Sequence, residues 1–131
     1  MANGFSTFLS NAIVTAVLVT PTFPNAATLY IALFSSDPTD DNVTANEASG
    51  AWYARRPTSA FAAASAGVTS NSNQIQWSAV TGSAITVTHW GVYDASTSGN
   101  LLFSGALTAS KTFNVGDVAV IGANQLVITV D

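Results

Sequence analysis

The chain has 131 residues, 48% of them hydrophobic and only 8% charged, with a net charge of −4, no cysteine and a single histidine. That length allows one domain with a real core, and the absence of cysteine excludes a disulfide framework, a thiol nucleophile and a cysteine-based zinc site. Three basic residues are too few for a phosphate-binding footprint, so no nucleic-acid partner is expected. The charged fraction is far below the roughly 25% of an ordinary domain. Too little charge remains to coat a free monomer, and part of the surface is expected to be covered by partners.

At the N-terminus, Phe5, Phe8, Leu9, Ala12, Ile13, Ala16 and Val17 recur at helical spacing and predict one amphipathic helix over residues 4–19. Asn3 or Ser6 can cap its start, and Pro21 and Pro24 end it. The flank lacks the basic residues of a signal peptide, and no run reaches the roughly 18 apolar residues of a membrane span. No membrane partner is expected, and the product is read as a soluble cytoplasmic one.

Residues 28–34 (TLYIALF) predict a central strand, with Leu29, Ile31 and Leu33 on one face and Tyr30, Ala32 and Phe34 on the other. Residues 35–50 (SSDPTDDNVTANEASG) are polar, acidic and rich in turn formers, a long stretch that reads as an exposed contact loop. Asp37, Asp40, Asp41 and Glu47 do not have the spacing of a calcium loop, so a solvated acidic surface is expected there and no metal. Next, AWYARRP sets Trp52 and Tyr53 beside Arg55 and Arg56. Such a cluster suits an interface hot spot or, equally, an internal neutralisation of the acidic loop.

Residues 59–64 (SAFAAA) and 73–78 (NQIQWS) predict short strands joined by a loop over 65–72, with Ile75 and Trp77 pointing inward. The strongest signal is residues 85–108. Ile85, Val87, His89, Gly91 and Tyr93 alternate with Thr86, Thr88, Trp90 and Val92, a turn follows over 94–100 (DASTSGN), and the apolar run resumes at Leu101. A hairpin at the centre of an antiparallel sheet is expected. A further turn over 114–117 (NVGD) and strands at 118–121 and 126–130 complete the count. About eight strands and one N-terminal helix predict a mainly β, single-domain, antiparallel β-sandwich with jelly-roll-like connections.

Nothing in the sequence assembles a reaction. His89 lies within a predicted strand, there is no nucleophile elbow or phosphate-binding glycine loop, and the acids gather in one loop instead of pairing across a cleft. The expectation is a non-enzyme without a cofactor.

The order FSTFLSNAIVTAVL, LYIALFSSDPT, SGAWYARRP, TSNSNQIQW, ITVTHWGVYDASTSGNLLFSGALTASKTFNVGD and LVITVD resembles a family of small virion proteins of tailed bacteriophages, variously labelled tail fibre or head decoration (cement) proteins. The resemblance runs over essentially the whole chain, with a departure at Ala51 or Trp52 where a further glycine is expected. It implies a structural protein of the virion. Lacking heptads or an internal repeat for a shaft, the chain is read first as a capsid decoration protein on the outer shell, a homotrimer binding the major capsid protein. The contact residues expected on this reading are Phe5, Asp37, Asp40, Asp41, Glu47, Trp52, Tyr53, Arg55 and Arg56. The alternative is a tail fibre or receptor-binding module that touches host surface glycans through the 94–100 turn.

Overall fold

The computed structural model describes residues 3–19, 28–58 and 61–130. It is mainly β with one helix, and the strands pair antiparallel. In chain order the elements are β1 (Asn3–Phe5), α1 (Thr7–Leu18), β2 (Leu29–Phe34), β3 (Arg56–Thr58), β4 (Val68–Ser70), β5 (Ile75–Ala79), β6 (Ile85–Tyr93), β7 (Leu101–Phe113), β8 (Val118–Ile121) and β9 (Val127–Thr129). A five-stranded sheet runs in the order β1-β7-β6-β2-β3, and two-stranded ribbons form from β4 with β9 and from β5 with β8.

The helix starts later than its apolar spacing predicts. Ser6 is the N-cap, its side chain accepting from the Leu9 N–H at 3.1 Å, while its own N–H donates to the Leu102 carbonyl at 2.9 Å. Its hydroxyl also bonds the Leu101 carbonyl. Ser6 therefore ends a strand and begins a helix at once, and Phe5 leaves the helical face to pair with Phe103 in the sheet, its ring 5.5 Å away. Of the predicted face, Leu9 and Ala16 are buried, Ala12 and Ile13 half-buried, and Phe8 and Val17 exposed. Apolar residues surround this helix on all sides, so periodicity alone could not select the contact face. Pro21 and Pro24 lie outside the described residues.

β2 follows its predicted alternation. Ile31 and Leu33 enter the larger core, with Leu29 packed against it, while Ala32 and Phe34 enter a smaller cluster against which Tyr30 rests. The pairs Ile31↔Val92 and Leu33↔Trp90 carry the first face across to β6, and Ala32↔Gly91 lies on the second. β6 itself departs from simple alternation. Val87, Trp90 and Val92 all reach the larger core, whereas Tyr93 belongs to the other cluster, so Val87 and Tyr93 do not share a face as their spacing predicts. The register shift between Val87 and His89 is the cause. There a single β6 residue, Thr88, stands opposite residues 107–110 of β7, and an interruption of this kind resets which face each side chain takes.

Two other expectations change. The strand predicted over 59–64 is, in its described part, only a bridge between Phe61 and Asn71, with residues 59 and 60 outside the described set. The loop predicted over 65–72 contains β4, which needs Gly67 at φ +76; a Cβ there would sit 2.3 Å from the Val130 carbonyl oxygen. β5 agrees with expectation, Ile75 and Trp77 being buried. The larger core lies between the sheet and the ribbons, where Ile31, Trp90 and Val92 meet Trp77, Ala119 and Ile128 in a sandwich-like arrangement.

Candidate functional site

Three stretches singled out in the sequence converge at one end of the five-stranded sheet: the acidic loop 35–50, the segment 51–56 and the hairpin turn 94–100. Arg55 joins them. Its guanidinium makes a two-pronged pair with Glu47, Nε to Oε1 and Nη2 to Oε2, both at 2.8 Å. Nη1 donates to the Ser98 carbonyl at 2.7 Å and the Ala95 carbonyl at 3.2 Å, and the guanidinium carbon lies 3.6 Å from the centre of the Tyr93 ring. A planar fork that is always charged can hold a carboxylate, two carbonyls and an aromatic face together; a lysine ammonium could not.

Around this pair the loops are cross-braced. The Tyr53 hydroxyl donates to Glu47 Oε1 at 2.9 Å and accepts from the Leu33 N–H at 3.2 Å. The Tyr93 hydroxyl donates to Asn42 Oδ1 at 2.6 Å. Burial, with the charge of Glu47 beside it, holds the Tyr53 hydroxyl well above the ordinary tyrosine range. Burial likewise pushes Tyr93 up to about 12, against the opposing charge of Arg55. For Arg55 burial works the other way and favours the neutral form, but the hydrogen bonds and charge of Glu47 outweigh it, and the net shift is upward.

The turn 94–100 carries its own bracing. Both Asp94 carboxylate oxygens accept from Asn100, from its N–H at 2.7 Å and its side-chain amide at 2.9 Å. Gly99 has φ +75, and a Cβ there would come within 2.6 Å of the Ala95 Cβ, so only glycine closes this turn. In the acidic loop Asp37 accepts from the Thr39 N–H at 2.8 Å, Pro38 is buried, and the Thr7 hydroxyl at the start of α1 donates to Asp41 at 3.0 Å. The loop is built and held, and its outer residues stay exposed.

The expected contact residues therefore separate. Trp52 and Arg55 are buried inside the chain, and Tyr53 and Glu47 are half-buried, with Glu47 bonded to both Tyr53 and Arg55. These four brace the site instead of being offered at its surface, because an arginine with this many internal partners cannot leave them without stranding Glu47. Arg56 turns away and donates to the Gln76 carbonyl at 2.7 Å, and Phe5 stands at the far edge of the sheet in β1. Asp37 and Asp41 are exposed and Asp40 half-exposed, as are Ser96 and Thr97 at the hairpin tip. Among the described residues no three His, Asp or Glu side chains are placed to share a metal ion. His89 lies in β6, its Nδ1 at 2.8 Å from the hydroxyl of its chain neighbour Thr88.

Sequence reasoning did not find the grip of Arg55 on the hairpin or the bond from Tyr93 to Asn42. Both span long separations, and no local pattern marks them. A family model described as Podophage GP4 fiber I protein gp80 matches residues 4–129. The chain belongs to this family. It is thus a bacteriophage virion protein of fibre type at the level of family, and the match says nothing of a place on the head. No curated protein matches the chain.

Proposed function

We propose that this chain is a fibre-type module of a phage tail whose braced loop end meets the host surface. The observation that carries the reading is the Arg55 clamp, which fixes the 94–100 tip and the acidic loop as one rigid surface while leaving Asp37, Asp41, Ser96 and Thr97 in solvent. Rigid loops lose little freedom on binding, which is the property a recognition surface needs. The family's fibre description favours this over the shell-cement reading. The lack of heptads, which pointed to the head, weighs little, because a fibre can be assembled from several chains.

Self-association is part of the proposal. Val14, Val17, Leu18 and Val19 stand exposed along and just beyond α1, a concentration of apolar surface that a second copy would cover. The test is made on virions. Labelled antibody should mark the tail, and particles carrying Ser96→Ala with Thr97→Ala should assemble normally and lose adsorption to cells. Labelling spread over the head shell, or adsorption unchanged by the tip variant, would overturn the proposal.

A further inference from the structure

β7 is 13 residues long, and only part of it has strands on both sides. β1 covers Phe103, Ser104 and Gly105, and beyond Gly105 no described residue pairs with β7 on that side. Ala106 and residues 108–112 are exposed. The result is an open edge over residues 106–113. The other rims of this sheet are short, since β1 and β3 have 3 residues each, and Pro57 in β3 has no N–H to donate.

The direction of the free backbone groups follows from the bonded part of the strand. The Ser6 N–H donates to the Leu102 carbonyl, so Leu102 turns its backbone groups toward β1. Alternate residues of a strand share this direction, and Ala106, Thr108, Ser110 and Thr112 therefore turn theirs to the open edge. No residue of 106–113 has a positive φ, and the chain stays extended past the interruption at Thr88. Where residues 107–110 stand opposite Thr88 alone, a groove opens between β7 and the stretch from β8 to β9. Leu107, Ala109 and Lys111 line one side of it, and Val120 and Val127, 46% and 44% exposed, line the other.

We infer that this edge pairs with the same edge of a second copy, antiparallel about a two-fold axis at Ala109, so that the five-stranded sheet continues from one chain into the next. Ala106 then faces Thr112 of the second copy, Leu107 faces Lys111, and Thr108 faces Ser110. In this register every residue with free edge groups meets another such residue. A shift of the axis to Thr108 would set the second copy against Ser104 and Gly105, which β1 already holds. A shift to Ser110 would bring the two lysines diagonally together. Lys111 is the only charge in the segment, and the axis at Ala109 leaves the two lysines at opposite ends of the paired stretch. A lysine and a bulge blunt an edge against indiscriminate pairing; here they admit one register.

The charge distribution favours the same occupant. The segment 106–113 has no acid, and Asp37, Asp40, Asp41, Glu47 and Asp94 all belong to the loop end, so two chains of net charge −4 can meet at this edge without setting acids against each other. Thr108 and Ser110 hydroxyls are matched across the axis, a favourable cross-strand pair. Leu107 packs against the larger core, so the alternate residues Ala109 and Lys111 of each copy take the groove side, where Val120 and Val127 are exposed. The inference builds on the self-association proposed above and adds a second contact to it. It is measured on purified protein, so its failure is separate from a failure of tail location in virions.

The chain has no cysteine, and a single introduced thiol therefore reports which residues meet. With Val17→Lys and Leu18→Lys in place to remove the α1 face, sedimentation should still show a dimer. In that background Ala109→Cys should give a disulfide-linked dimer on oxidation, while Thr112→Cys, which faces Ala106, should not. Ala109→Lys sets like charges opposite each other and should give a monomer. Mixing it with Ala109→Glu should restore the dimer, a rescue that misfolded variants would not give. A monomer before any change to β7 would overturn the inference, and would leave the edge to a strand of a different protein. So would an Ala109→Cys variant that does not cross-link, equal cross-linking by Thr112→Cys, a dimer that survives Ala109→Lys, or a charge-matched mixture that stays monomeric.

Discussion

Arg55 touches three separate stretches of chain, and the residues around it carry the clearest pH signature in the molecule. Below pH about 10 the phenols of Tyr53 and Tyr93 are protonated whether the chain is folded or not. Above it the unfolded chain gives up these protons first, while folded Tyr93 keeps its own until about 12 and Tyr53 is held higher still. The folded state then binds more protons than the unfolded one, so stability is fully present below pH 10 and falls as pH rises from there. Tyr93 alone contributes a slope of up to about 1.4 kcal/mol per pH unit in that window. Urea unfolding between about pH 8 and pH 11 should show this fall, and Tyr93→Phe should make it shallower. The sequence placed an arginine beside an acidic loop, and neutralising that loop was one of two readings open to it. The bond to Glu47 follows the neutralising reading. The hold on the Ser98 carbonyl could not be read, because it joins residues brought together only when β2 and β6 pair.

At the scale of elements, the turn between β8 and β9 depends on a single asparagine just after β4. Asn71→Asp keeps the shape but replaces two amide donors with acceptors and buries a charge, leaving the carbonyls of Asn73 and Gly122 without their bonds. The expected loss is about 3 kcal/mol or more, read as a lowered midpoint in chemical denaturation. A variant as stable as the parent would show that water replaces these bonds freely. Asn71 gave no signal in sequence, since it sits in a polar run that reads as a loop. β2 was legible because it alternates without interruption, and β5 because Ile75 and Trp77 alternate inward ahead of the irregularity after Gln76. β6 was half legible: its length and hairpin were plain, but the change of side at Thr88 depends on four residues of its neighbour.

For the whole molecule, low charge pointed to covered surface, and the structure places apolar exposure on α1 as well as on valines of β8 and β9. Val17 and Leu18 are 61% and 77% exposed, so changing both to lysine removes almost no internal packing. Unfolding free energy should stay within about 0.5 kcal/mol of the parent, while sedimentation should move from an oligomer toward the monomer. An unchanged oligomer would take α1 out of the interface.

Composition, the periodic strands and the turn residues were enough to determine a mainly β single chain with one N-terminal helix, because alternation and turn chemistry act within a few residues of each other. The resemblance of ordered motifs to phage virion proteins was also present in the sequence. Only the tertiary structure decided which side of the helix is covered, that Trp52 and Arg55 turn inward, and that an unequal pairing of β6 with β7 opens a groove. Each of these depends on contacts between residues far apart in the chain, and the free energy of such contacts is set by where strands meet, which no local pattern records.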